Sequence, residues 1–217
     1  MPRAGTTRSR PDRPGAQEWV PPRADVEALT RAVHDCRGCE LWQPATQAVF
    51  SAGPEDAAVA LVGEQPGDQE DREGEPFVGP AGRVLAEALE TAGMDAEQVY
   101  VTNAVKHFRF TERGKRRLHK KPDVAHIRAC VPWLEAELTA VRPRVVVALG
   151  ATAARAVLGH EVRIGAERGH VLDGESHDVV ITTHPSALLR LRDRARYGEE
   201  FDALVADLRT AADAAAG

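Results

Sequence analysis

Residues 144–150 read RVVVALG and run directly into ATAARAVLG, residues 151–159. An unbroken apolar run of this length, rich in β-branched valine and closed by glycine, suits a strand buried on both faces. The alanine-rich stretch that follows suits a helix entered by a tight turn. Three further strands are legible outward from this pair: AAVALVG ending at Gly63, VYVTN ending at Asn103, and HDVVITTHPS running toward His184.

Helical spacing appears between them. A helix is predicted from Ala81 to Ala92, with Val84, Leu85, Ala88 and Leu89 in one stripe and Gly93 at the stop. Another carries Val124, Ile127, Val131, Leu134 and Leu138, although Pro132 should kink or restart it. A short helix is expected from about Asp25 to His34, and a last one holds Phe201, Leu204, Val205 and Leu208. Alternating strands and helices imply an α/β fold, a three-layer α/β/α arrangement with a central, mainly parallel four-stranded sheet. Ligands of such sheets bind beyond the carboxyl ends of the strands, where GEQPGD, TNAVKH, LGAT and THPS all fall.

The chain has 217 residues, 43% of them hydrophobic, and a formal net charge of −5. One domain over residues 24–217 is expected, preceded by an Arg/Pro-rich disordered tail over 1–23 that lacks apolar periodicity. No apolar segment is long enough for a signal peptide or a transmembrane helix, and three cysteines fit reduced thiols, so a cytoplasmic location is expected. Charge is unevenly spread. From Lys106 to Lys121 eight Lys or Arg accompany one acid, Glu112, a local +7 that leaves −12 elsewhere. A solvated basic loop is the plain reading of KRRLHKK, residues 115–121; a phosphate contact confined to one place is the functional one.

Several residues could carry chemistry. GEQPGDQEDREGEPFVGPAG, residues 63–82, is acidic and Gly-rich, but lacks the G-K-[ST] of a P-loop, and its carboxylates would repel a triphosphate. Glu64, first after its strand, is a candidate for acid–base or electrostatic work. Phe77 suits the core or a stacking platform. Asn103 offers a donor and an acceptor together, as the edge of a nucleobase requires, or simply closes a turn. His184 precedes a proline, which biases it toward extended backbone, and a structural histidine is an equal reading. Cys36 and Cys39 form C-x2-C with Cys130 far downstream, one ligand short of four; His107, after a strand end, is the best fourth. Zinc, an iron–sulfur cluster with one histidine ligand, and unliganded buried thiols all remain open on spacing alone.

Taken together, Cys36 and Cys39, GEQPGDQEDREGEPFVGPAGR, TNAVKHFRF, KRRLH, ACVPWL, VVVALGATAA and THPSALLR resemble the uracil-DNA glycosylase superfamily. The closer likeness is to its family 4, iron–sulfur branch, and within that to the UdgX type. Gln65 in GEQPG and His107 after TNAVK are the UdgX-like departures from ordinary family 4, and KRRLH stands where KRRIH is usual. The resemblance implies a [4Fe–4S] cluster on Cys36, Cys39, His107 and Cys130. It implies uracil-containing DNA as partner, single-stranded favoured, acted on by a monomer. It assigns Phe77 to stacking, Asn103 to reading the base and His184 to stabilising uracil O2. Gln65, Gly67, Asp68 and Arg190 would also bind substrate, and Lys115, Arg116, Arg117 and Lys120 the DNA backbone. It further implies that His119, assisted by Glu64, attacks deoxyribose C1′ and stays covalently bound, a single turnover. Two other readings are a turnover family 4 glycosylase that leaves a free abasic site, and a non-catalytic zinc-dependent nucleic-acid-binding module.

Overall fold

The structure, a computed structural model, describes residues 13–217. The predicted parallel strands are present as β2 (Val59–Gly63), β3 (Val99–Asn103), β6 (Val145–Leu149) and β8 (Asp178–Thr182). They lie in the order β3-β2-β6-β8. Two short antiparallel edges extend this four-stranded core to six: β1 (Ser51–Ala52) on β3 and β7 (Val171–Leu172) on β8. Neither was legible in the sequence, because two-residue strands carry no periodicity.

Alternation along the central strands sorts side chains into two layers. Val146 and Ala148 face one core, shared with α1 (Val26–Val33), α4 (Val124–Val141) and α5 (Ala151–Leu158) through Leu29, Trp133, Leu134 and Ala153. Val145, Val147 and Leu149 face the other, shared with α3 (Pro80–Ala92) and α7 (Arg194–Ala216) through Leu85, Leu89, Leu204 and Leu208. All five residues of β6 are buried, as an apolar run without polar alternation requires.

The chain leaves β2 by α3 on one face, reaches β3 on one side, and later returns to β6 on the other side of β2. It leaves β6 by α5 on the opposite face. Neighbouring connections therefore diverge at the carboxyl ends of β2 and β6, opening a crevice at the point where the strand order reverses.

Local chemistry explains where elements begin. Asp25 caps α1 by accepting the Ala28 N–H, and α3 starts at Pro80, a residue earlier than expected, with proline in the first turn where no N–H is needed. Pro132 lies inside α4, which neither restarts nor ends there. Proline removes one backbone hydrogen bond of the helix, and buried Trp133 and Leu134 hold its second half on the sheet.

Three segments read as irregular have structure. The acidic loop contains the short helix α2 (Asp68–Glu73). The basic stretch is a hairpin, β4 (Phe110–Arg113) and β5 (Arg116–His119), which pairs Phe110 with His119 and turns on Gly114 at φ +60°. Of the expected tail, residues 1–12 lie outside the described residues; 13–23 pack on the body. The Ala16 N–H donates to the Ala129 carbonyl at 2.8 Å, and Arg13 pairs with Glu40 and with Asp123. A further short helix, α6 (Ile164–Glu167), precedes β7. Among the described residues no helix is long and apolar enough to cross a membrane.

Candidate active site

A cavity of about 710 Å³ opens over the crevice. β2 delivers Glu64, Gln65, Gly67 and Asp68 to it; β3 delivers Asn103; the connection after β8 delivers His184 and Arg190; and β5 ends in it with His119. Phe77 lines the same cavity from the acidic segment. A smaller groove of about 340 Å³ between α4 and α5 contains none of these residues.

Phe77 is held in an unusual backbone conformation, φ +57°, in the left-handed region that bulky residues avoid. Its ring stacks near His184, with centroids 6.1 Å apart and planes 28° from parallel. The segment is clamped from within: Glu70 accepts the N–H groups of Gly67 at 3.1 Å and Gly79 at 2.9 Å. Gly63 makes the approach possible. A Cβ there would lie 2.4 Å from Asn103 Oδ1 and 2.6 Å from Phe77 Cζ, so only glycine lets the two close on each other. Sequence reading missed this role, although a glycine closing a buried strand was the available signal.

His184 is tied by the next turn, the 3₁₀ helix Pro185–Arg190. The Ser186 N–H donates to its Nδ1 at 3.1 Å. Because a backbone N–H only donates, Nδ1 carries the lone pair and a neutral ring bears its proton on Nε2. Burial, reinforced by His119 and Arg190, lowers its pKa to about 4, so the ring is neutral at pH 7.

The His119 ring is governed by Gln65. The Arg109 N–H donates to Gln65 Oε1 at 3.1 Å, which orients the amide. Gln65 Nε2 then faces His119 Nε2 at 2.9 Å and the carbonyls of Arg109 and Lys120 at 3.2 and 3.3 Å. One side chain thus grips both ends of the hairpin and presents a donor to His119 Nε2, favouring a lone pair there. Glu64 Oε1 lies 3.4 Å from the same nitrogen. The His119 pKa is lowered chiefly by burial, with Arg190 lowering it further and Glu64 opposing both.

The basic residues separate into two kinds. Lys115, Arg116 and Lys120 are exposed on the hairpin, free to meet phosphates. Arg117, expected to bind DNA, instead turns inward. It donates to Asp68 Oδ1 at 2.5 Å and to buried Asp71 at 2.6 Å, and its guanidinium lies 5.0 Å from the Phe110 ring centroid. Asp68, expected to touch substrate, lines the cavity while carrying this pair.

Cys36, Cys39 and Cys130 are buried free thiols. Trp133 Nε1 donates to Cys36 Sγ at 3.2 Å and the Lys106 N–H to Cys130 Sγ at 3.3 Å. Burial pushes the Cys39 thiol up to about 11 and Cys130 to about 12, and each feels the charge of the neighbouring cysteines. The donor set fits a sulfur-ligated cluster in kind: buried soft ligands with N–H donors aimed at two sulfurs. Among the described residues no three His, Cys, Asp or Glu stand where they would hold a single metal ion. His107 is buried, its pKa lowered to about 4 by burial, and the charges it feels are those of Asp71, Arg37 and His34.

Three residues escaped sequence reading besides Gly63. Lys106 is fully buried and donates to the Asn103 carbonyl at 2.9 Å and to Thr102 Oγ1 at 2.7 Å, besides pairing with buried Glu137. Leu189, 48% exposed, stands at the cavity rim beside Arg190. Thr152, at the start of α5, lines the cavity floor. Each lies inside a quoted segment, Lys106 in TNAVKHFRF, Thr152 in VVVALGATAA and Leu189 in THPSALLR, but its role is legible only once its spatial neighbours are known.

Comparison with known proteins adds the following. The profile of the "Uracil DNA glycosylase superfamily" matches residues 50–209. A "Type-4 uracil-DNA glycosylase" of Archaeoglobus fulgidus is 33% identical over 185 residues, 81% of this chain and 89% of that protein. One of Thermotoga maritima is 37% identical over 169 residues, 77% and 84% of the two chains. A "Type-5 uracil-DNA glycosylase" of Pyrobaculum aerophilum is 38% identical over 98 residues, 44% of this chain and 40% of that protein.

Proposed function

Since the chain belongs to the uracil DNA glycosylase superfamily, we propose that it excises uracil from DNA, as a repair enzyme of the type-4 kind. One observation carries the reading: Glu64, Asn103, His184 and Phe77 meet in one cavity over the ends of three strands.

A base in a duplex is out of reach, so the target nucleotide is flipped at a cost of about a few kcal/mol, and single-stranded DNA is the favoured substrate because it is spared that cost. Phe77 stacks on the extruded base, and the Asn103 amide reads its polar edge. The His184 Nε2–H donates to uracil O2. Breaking the N1–C1′ bond sends its electron pair to uracil, and a neutral N–H donor placed in advance stabilises the anion that forms. The sugar is left oxocarbenium-like, facing the Glu64 carboxylate. Exposed Leu189 at the rim fits an apolar wedge that fills the vacated stack.

Two fates of the sugar follow. In the first, water attacks C1′, gives up a proton, and leaves a free abasic site; the type-4 relatives support this turnover reading. The second, the UdgX-type reading, has a specific observation in its favour. His119 Nε2 lies in the cavity 3.4 Å from Glu64 Oε1, with its lone pair favoured by Gln65. In this version Nε2 bonds to C1′, the proton on Nδ1 goes to solvent, uracil takes a proton from solvent, and the product is a protein–DNA adduct. The binding-module reading loses its ground with membership of a glycosylase superfamily.

The same proposal includes a [4Fe–4S] cluster held by Cys36, Cys39, His107 and Cys130, with a structural part beside the base-reading strand. The N–H donors to two sulfurs support it.

Uracil-containing single-stranded DNA run on a denaturing gel after incubation tests the function. Cleavable abasic product exceeding the enzyme supports turnover. A slow-migrating band limited to one strand per protein, lost in His119→Ala, supports the adduct. The absence of both products refutes uracil excision.

A further inference from the structure

Thr152 is the second residue of α5, 3% exposed, and the reaction above does not use it. Its Oγ1 donates to Glu64 Oε2 at 2.5 Å. A carboxylate only accepts, so the direction of that bond is fixed. Glu64 follows β2 and Thr152 follows β6, so the bond spans the crevice between two neighbouring strands. Gly150, at φ +90°, makes the turn from β6 into α5, and a Cβ there would stand 3.0 Å from the His184 Cβ.

Among the described residues, no other hydrogen bond holds the Glu64 side chain, which otherwise faces His119 at 3.4 Å. A carboxylate at the end of a three-torsion side chain has several orientations open to it. The hydroxyl selects one, with Oε2 held against the protein and Oε1 directed to the reacting sugar and His119. We infer that Thr152 is a positioning residue of the excision site, aiming the carboxylate that faces C1′. This rests on the role given to Glu64 above.

The test compares Thr152→Val, which keeps the shape and removes the hydroxyl, with Thr152→Ser, which keeps the hydroxyl. Uracil excision is followed in single turnovers from pH 5 to 9. A hydrogen bond to a charged group implies a loss of about 10- to 100-fold in Thr152→Val with little change in KM. Thr152→Ser restores the rate to within about 3-fold, and Thr152→Val in a Glu64→Gln background adds little further loss.

A native rate in Thr152→Val overturns the inference. So does a loss that serine does not restore, which assigns Thr152 to packing. If the valine variant fails to fold, Thr152→Ala is compared with the serine variant by the same rescue criterion. A native protein that releases no uracil overturns the inference together with the reading beneath it, and that failure is visible before any variant is made.

Discussion

Gly63 has no side chain to offer, and the site depends on that absence. Asn103 and Phe77 occupy the space a Cβ would need. Gly63→Ala is therefore expected to displace one of them by a fraction of an ångström to an ångström and lower uracil excision by about 100-fold, while the thermal midpoint stays near native. Loss of folding instead would show that the glycine serves the strand and not the pocket. Titration belongs to this scale too. Burial lowers the His119 pKa from its ordinary 6.5, and only the unprotonated ring has a lone pair for C1′. If His119 is the nucleophile, the rate of adduct formation is on its plateau at pH 7 and falls as pH drops through a value below 6.5. A profile still rising between pH 7 and 8 would contradict the lowered pKa.

At the scale of elements, the hairpin β4–β5 is the part the sequence disguised. Its residues read as a charge run because cations dominate it, yet one of them is an anchor. Arg117 ties β5 to α2 through Asp68 and Asp71, and the Asp71 carboxylate is fully buried. Arg117→Ala strands that carboxylate and is expected to cost about 3 kcal/mol, read as a lower denaturation midpoint, and to loosen the strand that carries His119. Arg116→Ala, on the exposed side, should change stability by less than about 0.5 kcal/mol and reduce the salt dependence of DNA binding by about one phosphate contact. Equal effects in the two variants would remove the distinction between anchor and DNA contact. The strands and helices around the hairpin were legible because burial imposes a period of 2 or 3.6 on their sequence. A two-residue edge strand, or a hairpin turned outward, carries no such imprint.

Across the whole molecule, the end of β3 and the thiols are joined through Lys106. Its backbone N–H donates to Cys130 Sγ and its side chain to the Asn103 carbonyl. If a cluster occupies the thiols, the purified protein absorbs in the visible range and contains iron and sulfide. Cys130→Ser should then lose that absorption, melt at lower temperature and bind uracil-DNA more weakly. A colourless native protein with full activity would overturn the cluster. The sequence by itself determined the three layers, the four parallel strands and most residues of the cavity, since buried strands are apolar and strand ends are marked by Gly, Asn and His-Pro. Only the tertiary structure decided that Arg117 is an anchor, that Gln65 controls His119, and that Thr152 meets Glu64. Those pairs, with Asp71 as the partner of Arg117, are 46, 54 and 88 residues apart along the chain, and no local pattern encodes a contact between two isolated polar side chains; the order in which strands enter the sheet does.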